Sequence, residues 1–121
     1  MFKLFTMVLL SSVITTAVYS QESSDSLVVI AIAKVKPSAQ AKFETEVNRI
    51  LGPTRKEHGN YEFKFHKSIQ GDATYGFFEK WDSESDLDAH LKSAHMEAFF
   101  KQVEGSFEPG YPQIMRFREV K

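Results

Sequence analysis

Residues 27–36 read LVVIAIAKVK. The run is β-branched, apolar and of strand length, so it begins the folded domain as a strand. Side chains on a strand alternate between two faces, and here both faces are apolar. The strand is therefore expected to be covered on both sides.

The elements that follow show what is available to cover it. Pro37 and Ser38 open a segment in which Phe43, Val47, Ile50 and Leu51 recur at helical spacing among charged residues, the pattern of an amphipathic helix. Gly52 and Pro53 are expected to interrupt that helix, residues 54–58 to add at most another turn, and Gly59 and Asn60 to end it. Residues 61–68 read as a second strand with Tyr61, Phe63 and Phe65 on one face. Gln70, Gly71 and Asp72 supply turn chemistry before a third strand, residues 74–81, on which Tyr75, Phe77, Glu79 and Trp81 share a face. Ser83 followed by Asp86 is a capping-box spacing and starts a short helix whose inward positions are Leu87, His90 and Leu91. Ser93 caps a further helical piece, marked by Met96, Phe99, Phe100 and Val103 and ending near Gly105. After a loop containing Pro109, Gly110 and Pro112, residues 113–120 alternate as a final strand.

The order is β-α-β-β-α-β with the second helix in two pieces. This is the ferredoxin-like α+β plan, in which crossover helices lie on one face of a four-stranded antiparallel sheet. Helices on one face leave the other bare, and a bare apolar sheet face is an unusually large exposed patch. A second copy packed face to face about a two-fold axis resolves this, so a homodimer is expected. The alternative use of such a face is docking to a membrane or another partner.

Ahead of the domain, residues 1–20 combine a basic start at Lys3, an apolar stretch and a small residue, Ser20. That layout is a secretion signal, expected to be cleaved after Ser20. Ser11, Ser12, Thr15 and Thr16 interrupt the stretch, which falls short of the roughly 20 apolar residues a span needs. Residues 21–26 form a polar leader and residues 27–121 one domain, exported to the periplasm or secreted and free of the membrane once cleaved. There is no cysteine, which excludes disulfides, a thiolate metal site and a thiol nucleophile. The formal net charge of −1 gives no sign of nucleic-acid binding. The eleven phenylalanines are a large aromatic share for so small a domain.

The stretch that carries chemistry is residues 79–100, EKWDSESDLDAHLKSAHMEAFF. Its pattern of E-x-W, a capped helix with L-x-A-H-L, then H-M-x-A-F, resembles the antibiotic biosynthesis monooxygenase family, and within it the small quinol monooxygenase branch. The resemblance extends over most of residues 27–120, including VVIAIAKVKP and Pro53-Thr54-Arg55. It implies a dimeric α+β barrel with a pocket between sheet and helices in each subunit. It also implies oxygenation of an electron-rich aromatic by O2 without flavin, heme or metal. The same fold family holds heme-degrading enzymes and isomerases, so fold alone does not fix the reaction.

A quinol becomes a good one-electron donor to O2 once deprotonated, so such a site needs a base, an apolar chamber and groups that stabilise the anion. Histidine is the natural base near neutral pH. Helical geometry places His90 on the inward face, either as that base or as a hydrogen-bonded core histidine. His95 falls at the edge of the next helical piece, as a substrate contact at the pocket mouth or a capping residue near Ser93. Glu79 is the second catalytic candidate: it orients His90, acts as base itself, or forms an ion pair with Arg55, Arg116 or Arg118. Trp81 suits stacking on a planar ring, and its indole N–H needs a partner when buried. Phe77, Tyr75 and Phe99 read as pocket walls, with Tyr75 offering a hydroxyl.

Spacing counts against a metal site. The five-residue offset from His90 to His95 is poor for chelation on a helix, where positions i and i+4 align. His58 and His66 fall near a helix end and on the strand face opposite Phe63 and Phe65. Three readings result: a cofactor-independent monooxygenase on a quinol-like or polyphenolic small molecule, a dimeric binding protein for heme or a hydrophobic aromatic, and an interaction module whose pocket is filled by its own phenylalanines.

Overall fold

The computed structural model describes residues 25–120, so the expected signal and most of the polar leader lie outside the described residues. Strand β1 (Leu27–Lys34) runs through a 3-10 turn (Pro37–Ala39) into helix α1 (Gln40–Arg55). Strands β2 (Asn60–Lys67) and β3 (Thr74–Trp81) form the hairpin. Helices α2 (Glu84–Leu91) and α3 (Ala94–Val103) precede strand β4 (Gln113–Arg118). The sheet order is β2-β3-β1-β4, antiparallel throughout, which is the ferredoxin-like α+β arrangement. No helix among the described residues is long and apolar enough to cross a membrane.

Strand β1 is central, pairing with β3 from Leu27↔Trp81 to Lys34↔Thr74 and with β4 from Leu27↔Arg118 to Ile32↔Gln113. Its helix-facing side chains are Leu27, Val29, Ala31 and Ala33. Leu27 and Val29 pack with Trp81 and Leu87 into one compact cluster. Ala33 belongs to a second cluster built around aromatic rings from α1, β2, β3 and α3. Phe43 is the hub of that cluster, with ring centroids 5.1 Å from Tyr75, 5.7 Å from Phe107 and 6.2 Å from Phe99.

Several expectations are corrected. Helix α1 is not interrupted at Gly52-Pro53 and continues to Arg55. Proline clashes with the Cβ of the residue before it when that residue is helical, and Gly52 has none. Pro53 forfeits only one hydrogen bond, in the last turn, and the continued turn buries Thr54. Tyr61 falls at a register irregularity between Asn60 and Glu62, so it leaves the regular alternation of β2. Its hydroxyl donates to Asp82 Oδ1 at 2.7 Å. Leu91 and Phe100 are exposed rather than inward. Strand β4 is exposed along its whole length and ends at Arg118.

The face of the sheet away from the helices carries Val28, Ile30 and Ile32 from the centre, half-buried, flanked by exposed Phe78, Met115 and Phe117. Among the described residues no helix packs on this face.

The helix caps follow the sequence. Ser83 Oγ accepts from the Asp86 amide and donates to Asp86 Oδ2, and Ser93 Oγ accepts from the Met96 amide. Asp86 Oδ1 also lies 2.8 Å from His58 Nδ1, tying the α2 cap to the turn after α1. Gly59 makes this approach possible: its φ is +75°, and a Cβ there would come within 2.3 Å of Asp86 Cγ. Gly59→Ala is expected to cost about 2–3 kcal/mol, combining left-handed strain with loss of the cap. The measurement is a lower urea midpoint with an unchanged slope.

Candidate active site

Between the sheet and the helices lies a cavity of about 230 Å³. Its floor is Ala31 and Ala33 of β1, and its walls include Phe63, Phe77, Phe43 and Phe99. The hollow exists because β1 places methyl groups here, whereas one turn of pleat earlier Leu27 and Val29 fill the equivalent space. The phenylalanines therefore line the chamber without filling it. Exposed Leu91, Phe100 and Ile114 form its rim. Among the lining residues only Glu79 and His90 carry polar side chains.

His90 comes from the last turn of α2 and is 1% exposed. Its ring packs on Trp81 at 4.7 Å and Phe63 at 5.6 Å between centroids. Nδ1 lies 2.9 Å from Glu57 Oε1. A carboxylate oxygen accepts, so the proton of the neutral ring sits on Nδ1 and the lone pair on Nε2, which has no hydrogen bond among the described residues. Burial pulls the affinity of His90 for a second proton below the ordinary imidazole value; Glu57 opposes this and the nearby His95 adds to it.

Glu57 was not singled out by sequence reading. It lies just past the end of α1, where the turn that follows Pro53 delivers it, and 33 residues separate it from His90. No local spacing signals that meeting. The same Oε1 lies 2.6 Å from Nε2 of His95, which also approaches Thr54 Oγ1 at 3.2 Å. His90 and His95 come together, ring centroids 6.1 Å apart, because the chain breaks between α2 and α3 and Ser93 starts a new helix. The two histidines therefore converge despite an offset that would part them on one continuous helix.

Glu79 accepts the Trp81 indole N–H at 2.9 Å, which answers the need of both groups. It neither orients His90 nor takes the arginine partners expected for it: Arg55 donates to the Phe63 carbonyl and Arg118 pairs with Glu84. Burial raises the Glu79 carboxyl above the usual range; the indole N–H opposes this and the charge of Glu57 adds to it. Of the other expected pocket residues, Phe77 and Phe99 line the cavity. Trp81 lies behind His90 and Glu79, fully buried, and does not form the wall. Tyr75 is directed elsewhere: its hydroxyl donates to Glu44 at 2.6 Å and its ring stacks on Phe65. His95 stands beside the cavity, in contact with its histidine.

The family model described as antibiotic biosynthesis monooxygenase matches residues 26–102, which run from β1 to all but the last residue of α3 and contain every polar group of this site. This chain belongs to the antibiotic biosynthesis monooxygenase family. Membership gives it a monooxygenase-like function. A relative named "Putative monooxygenase YcnE" from Bacillus subtilis is 29% identical over 73 residues, covering 60% of this chain and 77% of that protein. Solved structures share the fold. PA3566 from Pseudomonas aeruginosa superposes with a TM-score of 0.75 at 20% identity, over 84% of this chain and 100% of that one. Rv0793 from Mycobacterium tuberculosis does so with 0.74 at 23% identity, over 80% and 97%.

In this member of the family the Glu57 carboxylate is what holds the proton affinity of His90 up against burial. Glu57→Ala is therefore expected to move the His90 titration further below the ordinary imidazole value, read by ring 15N shifts across a pH series.

Proposed function

We propose that the protein is a cofactor-independent monooxygenase that oxidises a quinol-like or polyhydroxylated arene with O2. The observation that carries this is the ring of His90, set in a cavity otherwise lined by carbon and fixed through Nδ1 by Glu57. A phenolic hydroxyl placed in the cavity gives its proton to Nε2, and Glu57 stabilises the imidazolium that forms. The apolar walls exclude water, so the resulting anion is poorly solvated and readily gives an electron to O2. A hydroquinone and O2 then become a hydroxyquinone and water: one oxygen atom enters the ring, the other leaves in water, and all four electrons come from the substrate. Glu79, the other polar side chain of the lining, offers its carboxyl group to a second ring oxygen or hydroxyl.

The volume supports this substrate class. It exceeds the roughly 150 Å³ of a cavity that takes up benzene and suits one or two fused rings better than a tetrapyrrole. The need for nothing beyond O2 and substrate accords with the export expected from residues 1–20, since nicotinamide and free flavin are not dependably supplied outside the cytoplasm. The uncovered apolar sheet face supports a homodimer packed through Ile30, Phe78 and their neighbours.

Oxygen consumption by the metal-free protein with a panel of quinols tests the reaction. Uptake above autoxidation is expected, falling about 100-fold or more in His90→Ala. Uptake no faster than autoxidation for every quinol, or an unchanged rate in His90→Ala, overturns the reading. Sedimentation is expected to show a dimer that Phe78→Glu converts to monomer; a monomeric wild type at micromolar concentration overturns the pairing.

A further inference from the structure

We propose that Glu57, His90 and His95 form a site for one divalent transition-metal ion of the zinc type, and that the ion competes with the proton on His90 Nδ1. A bound ion thereby removes the cavity histidine from use as a base. This second half rests on the function proposed above; the site itself does not.

The geometry is that of three converging ligands. His90 Nδ1, His95 Nε2 and a Glu57 carboxylate oxygen all lie within 4.8 Å of one another, and they come from three separate segments. Two imidazole nitrogens and one carboxylate oxygen are a zinc donor set that leaves a fourth position for water. Copper, nickel and cobalt accept the same donors, whereas magnesium and calcium prefer oxygen alone. Thr54 Oγ1, already 3.2 Å from His95 Nε2, adds an oxygen beside the open position.

The arrangement also permits the small movement that an ion requires. Glu57 Oε1 is 2.9 Å from His90 Nδ1, to which it is hydrogen-bonded, and 2.6 Å from His95 Nε2. An ion about 2.1 Å from each donor needs them about 3.4 Å apart, so Glu57 must part from each ring by less than about 1 Å. His90 is clamped between Trp81 and Phe63. Glu57 and His95 are 17% and 24% exposed in their side chains, so both can shift and an ion can reach them from solvent.

The consequence for His90 is chemical. An imidazole binds a metal through a lone pair, so coordination at Nδ1 moves the ring proton to Nε2. The nitrogen available to the substrate then donates a hydrogen bond and can no longer accept a proton. Occupancy changes the tautomer and leaves the cavity in place.

Chelator-treated full-length protein titrated with zinc chloride by calorimetry, and with cobalt(II) by visible absorption, tests the site. One ion per chain is expected. Affinity should fall in Glu57→Ala, His95→Ala and His95→Gln by more than the roughly 10–100-fold that loss of a supporting partner costs. Substituting the exposed His58 by Ala should leave affinity unchanged. Long-range 1H–15N spectra should show the His90 proton moving from Nδ1 to Nε2, and oxygen uptake should fall in proportion to occupancy. No bound ion, or binding that survives loss of both Glu57 and His95, overturns the site. A bound ion with the proton still on Nδ1 overturns the competition. A bound ion with the tautomer changed and oxygen uptake undiminished leaves the site standing and overturns His90 as the base.

Discussion

Along the inward face of β1 the side chains shrink from Leu27 and Val29 to Ala31 and Ala33, while the strand pairs on both sides and cannot shift its register. Pairing puts Trp81 opposite Leu27, Phe77 opposite Ala31 and Tyr75 opposite Ala33. One half of the domain is consequently solid, packed around the fully buried indole, and the other half is hollow. The hollow stays open because its walls are rings braced against one another, with Phe77 and Phe43 each touching several others. His90 and Glu79 stand where the solid half meets the hollow one. Each has one polar atom tied back into the protein and the remainder of the group turned to the chamber.

Glu57 is the second dependence. One carboxylate oxygen serves two imidazoles on two helices, so the end of α1 is bound to both pieces of the second crossover. Without it the buried His90 ring would lose the partner of its Nδ1, at about 1–3 kcal/mol, whereas His95 Nε2 would keep Thr54 Oγ1 and Ser93 Oγ within reach. The elements that form the cavity wall are thus held by the same contact that fixes the tautomer of its histidine.

Local signals were legible in the sequence. The strand and helix order, the Ser83 and Ser93 caps and the shared face of Phe77, Glu79 and Trp81 all depend on near neighbours, and each is where spacing puts it. Reading failed where a distant contact overrode a local preference. Gly52-Pro53 is a breaker in isolation, yet the burial of Thr54 carries the helix past it. Tyr75 lies on the pocket face but is turned toward Glu44. Glu79 has three arginines within plausible reach in sequence terms, yet the nearest donor is the indole two residues along its own strand. Glu57 has no motif at all, because its meaning comes from two residues more than thirty positions away. His90 and His95 meet against their spacing because a helical repeat does not continue across a fresh cap.

The passage of α1 through Gly52 and Pro53 makes the two positions interdependent. A side chain at 52 is sterically free in every direction except toward the ring that follows it. An alanine there is favourable in a helix only after Pro53 has gone, whereas losing Pro53 first leaves a glycine that merely weakens the turn. The order of substitution therefore matters to the helix: an alanine at 52 crowds the ring while Pro53 is present and is free of that cost once Pro53 has been replaced.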